Sequence, residues 1–223
     1  MKDPVKTKYG HYFERKEIIV WIKNTHGSTH GCKLNVLDIF EISQNGVPEK
    51  YDNCSKNLNN KTLLFHGTHQ SCVLSIFKNN FYLDPTKLNS NIQIAGKMFG
   101  YGVYFADVAT KSFNYTRADS TNDVGCLLVS EIALGNMMEK ISSDSSLNKT
   151  KLDKQHCHST KAIGKWQPSS SKIINDTIIH SGPLQAIKTK TDLRYNEYIV
   201  YDVDQIKTKY LVLVKNTGTY GGY

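Results

Sequence analysis

No run in this chain approaches the roughly 18 consecutive apolar residues that a membrane-crossing helix needs. The N-terminus "MKDPVKTKYG" also lacks the apolar core of a secretory signal. The expectation is a soluble, intracellular protein, nuclear or cytoplasmic, with no membrane partner. Cysteine is sparse: Cys32, Cys54, Cys72, Cys126 and Cys157 are an odd number without framework spacing, which points to reduced thiols. Internal repeats are missing, and so is any linker that would split the chain. Strand and helix patterns do not alternate as βαβα, which excludes a doubly wound parallel sheet. A dinucleotide fingerprint is excluded too, because the glycines at 100 and 102 precede a strand where that motif follows one. No metal is expected. "QHCHS" sets His156, Cys157 and His158 side by side, but consecutive ligands cannot all reach one tetrahedral centre without strain, and no second cluster completes them.

What is present is a chain of 223 residues, 39% hydrophobic and 22% charged, an ordinary globular balance that excludes wholesale disorder. That length allows one generous domain or two small ones and a substantial core. The net charge of +8 suits an anionic partner such as a nucleic acid, a nucleotide or a polyanionic product. The lysines are scattered rather than gathered in a stripe, so solubility explains the charge equally well.

Strand-like segments dominate. "KEIIVWI" (16–22) and "KLNVLDIFEIS" (33–43) read as strands, the second with Leu34, Val36, Phe40 and Ile42 on one face and Asp38 among them. "QNGVPEKYDNCSKNLNN" reads as a polar connection. "TLLFHG" (62–67) reads as a short buried strand, and "HQSCVLSIFKNN" (69–80) as a helix with a Cys72, Val73, Ile76, Phe77 stripe. A long loop follows at 83–97. "VYFA" is a strand, and Asp107 then reads as the N-cap of a helix, "VATKSFNYT". "GCLLVSEIAL" (125–134), "EYIVYDV" (197–203) and "KYLVLVK" (209–215) are three further strands. Residues 141–190, rich in Ser, Lys, Thr and Asn, read as surface loops with one short strand.

Three stretches carry the chemistry. In "FHGT", His66 closes a strand and Gly67 offers unhindered backbone N–H and C=O, a donor and acceptor that fit a planar carboxamide; a structural strand-end histidine is the plainer reading. After "GYGVYFAD", helical spacing sets Lys111, Ser112 and Tyr115 on one side, either toward what Tyr104 faces or toward solvent. In "YNEYIVYD", strand alternation puts Glu197, Ile199 and Tyr201 on one face. A carboxylate opening so apolar a strand needs a salt bridge or a catalytic task, since burying it alone is expensive.

In this order and spacing, "FHGT", "GYGVYFADVATKSFNY" and "YNEYIVYD" resemble the catalytic domain of the poly(ADP-ribose) polymerases. The likeness extends upstream through "EIIVWIKNTHGSTHGCKLNVLDIFEI", similar to the DNA-damage-responsive branch, and downstream through "VSEIALGNM", "HSTKAIGK" and "KYLVLVK". It covers about residues 16 to 216, and the division drawn is an N-terminal extension at 1–15 and a catalytic domain at 16–223. The resemblance implies an α+β ADP-ribosyltransferase fold, two mostly antiparallel sheets around an NAD cleft, with NAD as co-substrate. It implies that Tyr104 and Tyr115 sandwich the nicotinamide, that Gly67 holds its carboxamide with a hydrogen bond donated by Ser112, and that His66 binds the adenosine ribose. Thr68 and Lys97 belong to the same implied NAD-binding set, although Lys97 is equally well read as solvated. Glu197 would bind the nicotinamide ribose 2′-hydroxyl, stabilise the oxocarbenium-like state and polarise the incoming hydroxyl. Lys111 would lie on the acceptor side. Glu197, His66, Tyr104 and Lys111 are thus the implied catalytic set.

The implied partners are NAD, acceptor proteins including the chain itself, and a poly(ADP-ribose) product, with the chain a monomer. There are departures. Cys72 stands where relatives have an asparagine facing adenosine, and Lys97 where they often have a tyrosine. Only about fifteen residues precede the match, so the helical regulatory domain of that branch and any specific DNA-binding module are expected to be absent. A mono-ADP-ribosyltransferase, an NAD hydrolase and an inactive NAD- or ADP-ribose-binding module are the alternatives.

Overall fold

The computed structural model describes residues 15–27, 30–87 and 97–219. Apart from Arg15, the N-terminal extension drawn at 1–15 lies outside the described residues, as does most of the loop at 83–97. In chain order the elements are α1 (Arg15–Asn24), β1 (Leu34–Glu41), α2 (Val47–Ser55), β2 (Lys61–Thr68) and α3 (Gln70–Asn79). Then come β3 (Val103–Phe105), α4 (Ala109–Phe113), β4 (Val124–Ala133), β5 (Met137–Lys140), α5 (Lys149–Asp153) and β6 (Ser159–Ala162). The chain continues through β7 (Gly164–Ile174), β8 (Thr177–Ala186), β9 (Leu193–Tyr195), β10 (Glu197–Val200) and β11 (Ile206–Asn216).

The strands form a seven-stranded sheet, ordered β1-β11-β4-β2-β8-β7-β9, and a four-stranded sheet, ordered β3-β10-β6-β5. Pairing is mostly antiparallel; β2 with β8, β5 with β6 and β7 with β9 run parallel. This is the expected two-sheet α+β architecture. Alternation along β2 and β4 gives each strand two apolar faces. One face (Leu63, Phe65, Leu127, Val129) packs under α1 and α4. The other (Leu64, Leu128, Ile132) meets Val103, Phe105, Tyr198 and Val200 of the small sheet. Leu64 and Leu128 are wholly buried, and each such side chain is worth about 1.5–3 kcal/mol of transfer free energy.

Among the described residues one isolated antiparallel bridge joins the sheets: Phe65 and Ala106 exchange two 2.9 Å backbone hydrogen bonds. The chain therefore passes directly from β3 in the small sheet to a seam with β2 in the large one.

Four expectations are corrected. Residues 16–22 are helix, not strand: Ile18, Trp21 and Ile22 are the buried side chains of α1, spaced i, i+3, i+4. The polar connection after residue 43 contains α2, which has Pro48 in its first turn and buries Tyr51 and Ser55 one turn apart. In β1 a bulge between Val36 and Asp38 shifts the register, so Ile39 is buried and Phe40 exposed. Residues 164–186 form the long hairpin β7–β8, turned by Asn175 and Asp176 at φ 49° and 62°, the positive-φ pair that a tight hairpin needs.

Candidate active site at the sheet seam

At the end of β2 the side chains diverge with the strand's period. His66 lies on the Leu64 side, where its Nδ1 is 2.8 Å from the Tyr104 carbonyl. Phe81 meets its ring edge-on at 5.0 Å and Phe105 tilts against it at 5.5 Å. Burial holds its pKa below the ordinary histidine value, partly offset by that carbonyl, so it is a neutral ring.

Gly67 lies on the opposite side, against α4. A Cβ built there would stand 1.6 Å from the Ser112 carbonyl oxygen, so only glycine lets the strand and helix backbones meet. Ser112 is buried and its hydroxyl donates to the Phe65 carbonyl at 3.0 Å. Its single proton is therefore committed to β2, and the Oγ lone pairs remain to accept. The carboxamide donation implied for Ser112 requires that hydroxyl to turn. Thr68 closes β2, half-buried beside Gly67.

Tyr104, in the middle of β3, donates from its hydroxyl to the Gly100 carbonyl (2.8 Å) and accepts from the Phe99 N–H (3.0 Å). Those bonds fold the preceding turn over its ring. Burial pushes its phenol up to about 12, with the Glu197 and Tyr115 charges adding to it. The glycines before it are there for backbone packing. Gly100 has φ +77° and a Cβ on it would lie 2.0 Å from the Leu147 carbonyl oxygen, while one on Gly102 would lie 2.8 Å from that of Val200. Lys97 donates to the Tyr101 hydroxyl at 2.6 Å and sits 4.3 Å over that ring. Tyr115, beyond the end of α4, is 43% exposed.

Glu197 begins β10, which pairs with β3 (Ile199 opposite Tyr104) and with β6 (Glu197 opposite Ala162). Its Oε1 accepts from Lys111 Nζ at 2.6 Å, and the two side chains are only 12% and 14% exposed. Lys111 also donates to the carbonyls of Tyr195 (3.3 Å) and Asn196 (3.4 Å). Burial draws its pKa down, opposed by the Glu197 charge. Of the two readings left open for Glu197, the salt bridge is present, and its partner is the lysine from the neighbouring motif.

The seam thus gathers His66, Gly67, Tyr104, Lys111, Ser112 and Glu197 from three separate motifs. Asp107 is a correction. Val108, not Asp107, is the N-cap of α4, and that helix covers only 109–113. Asp107 is 1% exposed; its Oδ2 accepts from Asn196 Nδ2 (2.7 Å) and from the Tyr198 hydroxyl (3.1 Å). Asn196 and Tyr198 were both visible in "YNEY", but alternation alone does not reveal a partner ninety residues away. Away from the seam, His156 and His158 serve a turn: the His156 carbonyl accepts from Asn136 Nδ2 and the His158 ring accepts from the Asn136 N–H. The 140 Å³ cavity lined by Cys54, Leu152, Cys157 and Tyr201 holds none of the seam residues.

Comparison with known proteins places the chain in a family. Residues 13–216 match the poly(ADP-ribose) polymerase catalytic domain. The chain is 36% identical to poly(ADP-ribose) polymerase 1 of Oryza sativa subsp. japonica over 87% of its own length and 20% of that protein's. It is 36% identical to the Xenopus laevis polymerase 1 over 96% of this chain and 22% of that one. To human poly(ADP-ribose) polymerase 2 it is 34% identical, over 91% and 34%. The chain therefore spans between about a fifth and a third of the length of these relatives. It belongs to the poly(ADP-ribose) polymerase catalytic-domain family.

Proposed function

We propose that this chain is an NAD-dependent protein ADP-ribosyltransferase that forms poly(ADP-ribose), working at the seam between its two sheets. One observation carries the reading. A buried His66, a Tyr104 whose hydroxyl is fixed by backbone, and the Lys111–Glu197 pair meet where β2, β3 and β10 adjoin.

In this reading NAD is the co-substrate. Gly67 presents its backbone to the nicotinamide carboxamide, Ser112 accepts from the carboxamide N–H through its free lone pairs, and Tyr104 and Tyr115 flank the ring. His66 and Thr68 hold the adenosine ribose side, and Lys97 approaches the pyrophosphate. As the nicotinamide–ribose bond lengthens, positive charge grows on the ribose. The Glu197 carboxylate stabilises that charge and polarises the attacking hydroxyl, as carboxylates do in glycoside hydrolysis. Because Lys111 holds Glu197 by an ion pair, the carboxylate is oriented before substrate arrives, so little reorganisation is left to the reaction. Acceptor proteins, the chain itself among them, receive the ADP-ribose.

Incubation with labelled NAD, with products resolved on a gel, tests this. A ladder supports the proposal; a single shifted band assigns mono-transfer, and free ADP-ribose alone assigns hydrolysis.

A further inference from the structure

Asp107 is a buried carboxylate at a place where its hydrogen bonds do not need a charge. Both groups that bond to it, the Asn196 amide and the Tyr198 hydroxyl, are neutral donors. A carbonyl-type oxygen of an asparagine would receive them as well. The carboxylate's other oxygen, Oδ1, is buried without a hydrogen-bond partner among the described residues. Keeping a carboxylate there costs desolvation that an amide would largely avoid.

Two titratable groups feel the field of that carboxylate: Lys111, which the Asp107 charge favours in its protonated form, and the His180 ring of β8, whose pKa it raises against the larger effect of burial. The geometry joins Asp107 and Lys111 through residues 195–197. The Asn196 side chain bridges two elements: its Nδ2 donates to Asp107 and its Oδ1 accepts from the Gly164 N–H at 2.9 Å. A Cβ on Gly164 would lie 2.1 Å from the Tyr195 carbonyl carbon, so the start of β7 is packed directly on this segment. With its side chain tied on one side, the segment turns the Tyr195 and Asn196 carbonyls to Lys111 on the other, next to Glu197.

We propose that Asp107 and Asn196 are positioning residues for the transferase site. Together they fix residues 195–197 so that Lys111 stays bonded to Glu197. The catalytic consequence rests on the function proposed above; the arrangement itself does not. The charges that reach Lys111 are Glu197 from β10, Asp107 from just after β3, and His30 from the segment before β1, whose ring contacts Thr110; His180 of β8 shares the Asp107 field. Arg194 adds a charge that reaches His30.

The test uses Asp107→Asn and Asn196→Ala in the wild-type and Lys111→Met backgrounds. The readouts are the kcat and KM for NAD, and the titration of Lys111 by NMR of the chain labelled at the lysine ε-carbon, without NAD. Asn196→Ala is expected to lower kcat by roughly ten- to a hundredfold with KM little changed, since misplacing a reacting group by about 1 Å costs on the order of 10²-fold. Asp107→Asn is expected to move the Lys111 titration to lower pH, and the basic limb of the kcat profile with it. In the Lys111→Met background, Asp107→Asn is expected to cost little more, because residues in one network are not additive. The same fold-loss in both backgrounds, with an unmoved Lys111 titration, overturns the proposal. A moved titration in a chain that transfers no ADP-ribose supports the arrangement and overturns the assigned reaction instead. If Asp107→Asn does not fold, the Lys111 titration in Asn196→Ala decides: a shift to lower pH supports the proposal and an unchanged one overturns it.

Discussion

Lys111 Nζ and Glu197 Oε1 lie 2.6 Å apart, joining the helix that follows β3 to the first residue of β10. The pair is poorly exposed, so its attraction is not dissipated by solvent as that of a surface pair is. Glu197→Gln keeps the shape, removes the charge and leaves Lys111 against carbonyls. Loss of such a preorganised stabiliser typically costs on the order of 10²–10³ in rate. Polymer formation is expected to fall further than NAD hydrolysis, because elongation also needs the acceptor hydroxyl activated. Comparing ladder and free ADP-ribose from labelled NAD checks it. Long polymer at a near wild-type rate in the variant would remove Glu197 from the chemistry.

Tyr115 offers a half-open ring beyond the end of α4, while Tyr104 is clamped by the turn before it. If both flank the nicotinamide, Tyr115→Ala is expected to raise the KM for NAD and weaken benzamide binding together. Aromatic pairs are worth about 0.5–1.5 kcal/mol beyond area burial, which sets a floor of roughly three- to tenfold. Benzamide affinity measured by calorimetry that does not change would move Tyr115 out of the slot.

The parts legible in the sequence share a physical cause. β2, β4, β10 and β11 are apolar runs buried on one face or both, and such runs announce themselves. α1 misleads because Ile18, Ile19 and Val20 are β-branched, a local preference that packing of one helical face overrides. β7 and β8 form much of one side of the large sheet, and β7 is mostly exposed, so it lacks the alternation that marks a half-buried strand; the Asn175–Asp176 pair was the one turn signal available, and it was not read as a hairpin. At the site, His66, Gly67, Tyr104, Lys111, Ser112 and Glu197 lie together at the seam, but the partners of Asp107 and Asn196 were hidden. Hydrogen bonds between residues 89 positions apart leave no periodic trace.

Gly67→Ala tests the contact between β2 and α4. Its Cβ would stand 1.6 Å from a backbone oxygen rather than from a movable side chain, so the helix itself must shift. Overpacking of this kind typically costs about 1–3 kcal/mol. Denaturant unfolding should show that loss. A displaced α4 would also carry Ser112 and Lys111 away, so NAD turnover is expected to fall by more than stability alone explains. A variant with unchanged stability would mean that the two backbones are not in contact.

Four histidines set the acid side of the stability curve. Burial lowers the pKa of His26, His66 and His180, and that of His30 to about 4, from an ordinary value of 6.5. In the unfolded chain these rings take up protons near pH 6.5, while in the folded chain they resist. Between the folded and unfolded values the unfolded state holds more protons, so stability rises with pH there and falls as the solution is acidified below about 6.5. The carboxylates act later. Asp144 is held at about 2 by bonds from Ser146 and Lys140. Glu131 is lowered by Lys209 and Thr177 against the opposing effect of burial, and the stability it contributes is lost only as pH falls below its unfolded value of 4.5. Loss between pH 6.5 and 5 therefore belongs to the imidazoles, at up to about 1.4 kcal/mol per pH unit for each proton. Urea unfolding at pH 7.5, 6.5, 5.5 and 5.0 should show it, and His180→Gln should flatten the slope while keeping the backbone carbonyl that Trp21 bonds to. A wild-type curve that stays level down to pH 5 would place these rings in water and undo the buried His66 on which the site depends.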